Sequence, residues 1–313
     1  MKIKILGSAA GGGFPQWNCN APLSRAVREG RQGFLPRTQS SIAASADDKG
    51  WAIFNASPDL RQQIAASPML QPRADGPLRN SPIEAVVLTN ADVDHIAGLI
   101  NLREREPFTL YASARVLKTL AANSIFNVLD PEIVPRRALP FNRPLALEGP
   151  EGALGVTIEA FPVAGKVALF LEEKGQADAN FGTVEGDTIG LRIAADGAGQ
   201  ERACYYIPGC AAIDGALLDR VHGAGCLMFD GTVFTDNEMR EAGVGDKTGA
   251  RMGHLAISGP GGSLAGFQHL RASRKIFVHI NTTNPILEAG SAAERQVKAA
   301  GWEVGFDGME IAL

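Results

Sequence analysis

Asn90, Asp92, Asp94 and His95 crowd into LTNADVDHIAGL, residues 88–99, directly behind the apolar run of PIEAVV. Carboxylates and an imidazole at this spacing either open a helix or hold a metal. On the first reading Asp94 is a helix cap, its carboxylate accepting backbone N–H groups, while Asp92 and His95 are simply solvated. On the second, Asn90 and Asp92 lie two apart on an extended chain and share a side. They then converge with Asp94 and His95 at the C-terminal edge of a strand, where open α/β sheets place their sites. Two other segments weigh towards the metal. FVHINTTNP carries His279, and CLMFDGTV carries Asp230, at the ends of further apolar runs. Three buried strands would each deliver a ligand-type side chain, and a lone buried Asp or His is costly unless paired or coordinated. The joint pattern therefore favours one shared metal.

The remaining histidines carry less information. His254, in RMGHLAIS, precedes an expected helix and can enter the site from a loop in a catalytic or supporting role, whereas His222 and His269 fall on helical faces and read as structural. GSAAGGGF is no dinucleotide fingerprint, since Gly7, Gly11, Gly12 and Gly13 do not give G-x-G-x-x-G and no acidic ribose partner is suitably placed. It reads as a turn where the backbone passes close to something.

These residues need a scaffold, and hydropathy supplies its outline. A first strand over residues 2–6 precedes a Gly-, Pro- and Asn-rich stretch to Arg37 that is expected to be irregular. SSIAASADDKGWAIFNASPDL reads as a hairpin turning at residues 47–50, followed by a short helix over 60–66. PIEAVVLTN is a buried strand, and 96–105 an amphipathic helix. GVTIEAFPV, VALFLEE, TIGLRIAA and RACYYIPG read as strands of a second half. A helix over 215–222 leads to CLMFD, and one near 263–269 leads to KIFVHINTTNP. Residues 171–187, acidic and Gly-containing, read as a mobile insertion or lid. Strands and helices alternating in two similar halves, about 1–150 and 151–313, predict a single domain with a layered α/β sandwich.

Composition narrows the classes. The 313 residues are 45% apolar, enough for a large core, and 30 basic against 34 acidic residues leave a net charge of −4. No basic run interleaves with aromatics, so no nucleic-acid partner is expected. No window approaches a membrane span and the N-terminus lacks a signal peptide's apolar region. Cys19, Cys204, Cys210 and Cys226 are too few for a disulfide framework. A soluble, cytoplasmic protein is expected.

With these residues assembled, the sequence resembles the metallo-β-lactamase fold superfamily, whose signature H-x-H-x-D-H follows a buried strand. Within it, the chain resembles over nearly its whole length the B family of pyrroloquinoline quinone (PQQ) biosynthesis proteins. The resemblance rests on ILGSAAGGGFPQWNC, PRTQSS, NASPDLRQQI, DVDHIAGL, FDGTV, GVGDKTGARMGH and HINTTNP. It implies an αββα sandwich. Asn90 and Asp92 stand where the hydrolases of the superfamily have their first two histidines, and FPVAGKV has none near Gly165. What survives is one ligand set, Asp94, His95, Asp230 and His279, with Asp92 as a further ligand, so a mononuclear site is expected. Two imidazoles with carboxylates and open positions suit non-haem Fe(II) better than a zinc pair, although zinc also accepts such donors. The family's structural zinc motif, WNCxCxxC, keeps only Cys19, with Ala21 and Ser24 at the other places. A lone thiolate cannot complete a tetrahedral site, so structural zinc at Cys19 is not expected unless Asp or His donors join it.

Three functions compete. The resemblance implies an iron-dependent oxygenase that uses dioxygen to hydroxylate the tyrosine ring of a Glu–Tyr PQQ precursor, alongside other PQQ biosynthesis proteins. It also implies, as an alternative, a carrier of PQQ or its precursor towards export to the periplasm. The fold alone would allow a metal-dependent hydrolase, which the missing histidines oppose. Oxygenase and carrier both need a pocket for an anionic aromatic, for which Arg251, Lys166, Asn281 and Asn284 are candidate contacts, each of a type common on any surface. The amide of Asn90, able to donate and accept, is expected to hold oxygen or a substrate phenol in a catalytic role.

Overall fold

The computed structural model describes residues 1–172 and 185–313. Among them, two seven-stranded sheets face each other. The first contains β1 (Lys2–Gly7), β2 (Ser41–Ser45), β3 (Trp51–Phe54), β4 (Ile83–Val87), β5 (Thr109–Ala112) and β6 (Arg136–Ala138). The second contains β7 (Pro144–Gly149), β8 (Gly152–Pro162), β9 (Ile189–Ala195), β10 (Cys204–Ile207), β11 (Cys226–Asp230), β12 (Arg274–Val278) and β13 (Glu303–Val304). The last strand, β14 (Glu310–Ala312), returns to pair with β1. In each sheet an antiparallel meander gives way to parallel strands, from β3 to β6 and from β10 to β13.

Alternation along the strands sorts three apolar layers. Phe54, Val87, Ile158, Leu191, Met228 and Val278 point between the sheets. Ile53, Val86 and Leu110 point outwards beneath Leu60, Leu99 and Val116, and Leu227, Phe229 and Phe277 do so beneath Leu217, Phe267 and Val297 on the other side. This is the expected αββα sandwich. The same period-two rule puts Asp230 on the inner face with Cys226 and Met228, so its carboxylate faces the interval between the sheets.

Local structure departs from expectation in three places. Within the stretch before Arg37, Pro22–Arg28 forms a helix, with proline at its first turn where the missing N–H costs nothing. VALFLEE contains a one-turn 3-10 helix, Leu169–Leu171, in place of a strand. Both edges of β8 are taken, by β7 and β9, so this apolar run has no strand to join there. The helix expected over 96–105 is instead a single α-turn, Val93–Ile96, running into 3-10 helix at Ala97–Leu102. The expected lid lies for the most part outside the described residues, at 173–184.

Gly98 explains the third departure. Its N–H donates to the carbonyl of Ala56 (2.8 Å), and a Cβ there would lie 2.0 Å from the carbonyl oxygen of Ser57. One residue-pair away, Ala56 N–H bonds the carbonyl of His95 (2.8 Å), so this close backbone contact also seats His95. Gly98→Ala is therefore expected to destabilise the protein by about 1–3 kcal/mol or more, as overpacking does. A lowered urea midpoint together with weakened metal binding would show it, and an unchanged midpoint would refute it.

Candidate metal centre

The site forms where β4, β11 and β12 end. His95 follows β4, is buried, and brings Nδ1 to 2.7 Å from Asn90 Oδ1. The backbone N–H of Asp92 donates to the same oxygen (3.0 Å), which identifies that atom as an acceptor. His95 must then carry its hydrogen on Nδ1, leaving the lone pair on Nε2. That Nε2 is buried and has no hydrogen-bond partner among the described residues. Burial, partly opposed by Asp94, pulls the imidazole down to a pKa of about 4, so His95 is neutral near pH 7. A neutral, buried imidazole with an orphaned lone pair is what a metal ligand requires.

His279 meets it from the other sheet. Continued alternation along β12 would put His279 outwards with Phe277. Its left-handed backbone, φ 56°, ends the strand and brings Nε2 to 3.1 Å from Asp94 Oδ2. Such a conformation costs a non-glycine residue on the order of 1–3 kcal/mol. Burial would raise the Asp94 carboxyl, but His95 and His279 hold it well below the usual carboxylate range. Burial would lower His279, and the neighbouring carboxylates, Asp94 foremost, outweigh it and raise it.

Among the described residues two trios of ligand atoms result, Asp94 with His95 and His279, and Asp230 with His254 and His279, each within 4.8 Å of one another. They differ in how far protein contacts already satisfy them. In the second, Asp230 Oδ2 accepts from Cys210 N–H (2.9 Å) and His254 Nδ1 (2.7 Å), and Oδ1 from the N–H (3.0 Å) and hydroxyl (2.6 Å) of Thr232. Asp230 is wholly buried, and although burial opposes it, His254 leads the groups that hold its carboxyl low. The orphaned Nε2 belongs to the first trio, so the residues present fit a metal there. Asp230, expected as a ligand, has all four of these bonds to protein donors and organises Thr232 and His254. His254 does enter from a loop, between the helices Gly249–Met252 and Ser263–Gly266.

The other expected residues scatter. Asp92 stands at the first position of the turn that begins at Val93, without a capping bond from its side chain, and belongs to neither trio. Asn90, expected to face oxygen or phenol, spends Oδ1 on His95 and the Asp92 backbone. Asn284 is fully buried, with its amide bonded to Gly231 and Thr232 carbonyls and to Ile286 N–H, so it is a turn-forming residue that cannot reach a substrate. Asn281 donates to Thr283, which donates to Glu238. Lys166 and Arg251 come together on one carboxylate, Glu172, at 3.0 and 3.1 Å. Cys19 is buried and in neither trio, while Ser24 bonds Thr282 (2.8 Å). His222 and His269 are exposed beyond the ends of their helices. The glycine turn passes beside Asp94, a Cβ on Gly11 falling 3.5 Å from Oδ2. Thr232 and Cys210 were not singled out in the sequence. For Thr232 a signal existed, its place two residues beyond Asp230.

Fold and site together define the class, and a sequence model of the beta-lactamase superfamily domain matches residues 50–280. The chain belongs to that superfamily. More narrowly, it belongs to the family of coenzyme PQQ synthesis protein B. It is 48% identical to the protein of that name from Xanthomonas oryzae pv. oryzae (strain MAFF 311018), with 313 residues aligned and both chains fully covered. Identity is again 48%, at full coverage of both, to that of Methylobacterium nodulans (strain LMG 21967 / CNCM I-2342 / ORS 2060). The crystal structure of Zn²⁺-bound PqqB from Methylobacterium extorquens superposes with a TM-score of 0.93 at 45% identity and full coverage of both chains. A diphosphatase of the PhnP family shares the fold at a TM-score of 0.68 and 18% identity, covering 100% of this chain and 96% of its own.

The trio that holds the orphaned nitrogen leads to three expectations. Elemental analysis after reconstitution and removal of loose metal should give about one tightly held metal per chain. His95→Ala and His279→Ala should each abolish tight binding while leaving the far-ultraviolet circular dichroism unchanged, and wild-type affinity in either would remove that residue from the site. Asn90→Ala, which frees the His95 ring, should weaken binding by about 10–100-fold.

Proposed function

We propose that this protein acts in PQQ biosynthesis as a metal-dependent oxygenase that hydroxylates the tyrosine ring of a Glu–Tyr precursor. The observation that carries this reading is the donor set itself, two imidazoles and one carboxylate, with Asn90 turned to orienting His95. Three protein donors leave coordination positions for other molecules, the arrangement that non-haem Fe(II) oxygenases use. The family's biosynthetic name supports the pathway assignment, and the Zn²⁺ bound by the crystallised relative supports zinc as the metal to compare with iron.

Asp94, His95 and His279 would hold the metal, which when bound supplies dioxygen activation. The chain's own groups do the rest. His254 keeps Nδ1 on the buried Asp230 carboxylate, so Nε2 is the atom that can take a proton from a substrate phenol, with Asp230 stabilising the imidazolium. Asn90 and Thr232 hold the two ligand rings. Lys166 and Arg251, already converged on the Glu172 carboxylate, are suited to an acidic substrate that exchanges with it. One oxygen atom enters the ring and the other leaves as water, with two electrons from an added reductant such as ascorbate.

The test is anaerobic loading with Fe(II), then Glu–Tyr, ascorbate and isotopically labelled dioxygen, with products read by mass spectrometry. Gain of one labelled oxygen in the iron form but not in the zinc form is expected. Unchanged dipeptide from fully iron-loaded protein would overturn the proposal. His254→Gln should keep its iron and lose turnover by about 100-fold or more, the scale of general acid–base catalysis.

A further inference from the structure

We propose that Thr232 is the positioning residue that decides which nitrogen of His279 faces the metal. The inference rests on His279 being a ligand, as read above. Thr232 is buried, and its hydroxyl oxygen lies 2.6 Å from Asp230 Oδ1, 2.8 Å from His279 Nδ1, 3.0 Å from the His279 carbonyl oxygen and 3.1 Å from His254 Nδ1. A hydroxyl has one hydrogen to give. The Asp230 carboxylate and the His279 carbonyl both only accept, so the hydrogen is committed to one of them. Only lone pairs then remain to face His279, and Nδ1 must bring its own hydrogen. The opposite assignment would set two buried lone pairs against each other at 2.8 Å.

Nε2 is thereby left as the ligating nitrogen: its hydrogen, which bonds Asp94 Oδ2 (3.1 Å), is the one that a metal would displace. The contact to the Asp230 carboxylate is the shorter (2.6 Å) and is charge-assisted, so the hydrogen goes there, while Asn281 N–H bonds the Thr232 carbonyl (3.0 Å). Thr232 thus holds the ring through its hydroxyl and the chain just beyond His279 through its carbonyl. It matches, by different chemistry, what Asn90 does for His95. Asp230, by receiving the hydroxyl hydrogen, acts on His279 through Thr232.

The test uses metal binding and spectroscopy, without turnover. Thr232→Val keeps the shape and removes the hydroxyl, and Thr232→Ser keeps the hydroxyl. Measured by competition with a chromophoric chelator, Zn²⁺ affinity should fall by about 10–100-fold in the valine variant and return near the wild-type value in the serine variant. In Zn²⁺-loaded wild-type protein, nuclear magnetic resonance should show a slowly exchanging proton on His279 Nδ1 and a metal-bound Nε2. Wild-type affinity in Thr232→Val, or metal on Nδ1, overturns the inference. Should the valine variant not fold, the wild-type spectrum decides alone. Absence of hydroxylation would leave both readouts untouched. Undiminished Zn²⁺ binding by His279→Ala would instead remove His279 from the site, and this inference with it.

Discussion

The contact of Asp94 with His279 is where the two sheets meet chemically. Each sheet brings half of a donor set, Asp94 and His95 from the end of β4 and His279 from the end of β12. A buried carboxylate is costly unless charged or hydrogen-bonded partners compensate it, and here its partners are two imidazoles. The cost of the left-handed backbone at His279 is tolerated because this contact, and the hydroxyl of Thr232 behind it, determine where the ring must lie.

Around that contact, polar atoms are arranged so that each ring has its Nδ1 held by protein. Asn90 does this for His95, Thr232 for His279, and Asp230 for His254. The network continues inwards. Thr89 and Asn55 bond each other beneath His95, and Asn55 reaches towards the Tyr206 hydroxyl, which bonds Ser40. At low dielectric such bonds reinforce one another when all members are satisfied. Among the described residues His95 Nε2 is the exception at the centre, and its lone pair is the one we propose for the metal.

Loss of the first histidines of the superfamily signature thereby acquires a structural meaning. Asn90 is too weak a metal ligand to replace imidazole, but as an acceptor it fixes the tautomer of the histidine five residues on. In the proposed site one position of a hydrolase ligand set is thus turned to orienting another ligand, which would leave fewer protein donors and more room for other molecules on a fold shared with a diphosphatase of the PhnP family.

Much of this was legible in the chain. The apolar runs that became β4, β11 and β12 locate three buried strands, and Asp94, His95, Asp230 and His279 at their ends announce a centre, because burial and period are local properties of sequence. Family membership was legible for the same reason, in long motifs. What the tertiary structure alone decided is which polar atom faces which. Asp94 and His279 are 185 residues apart, and Lys166 and Arg251 meet only through Glu172. The division of Asp230 from the open trio, and the roles of Asn90 and Thr232, follow from hydrogen positions that neighbours dictate. The helix lost at Gly98 and the strand lost at Leu169–Leu171 have the same origin, a backbone approach and a filled sheet edge. Propensity is a property of a segment, whereas donors, acceptors and free edges are assigned only when the two sheets close on each other.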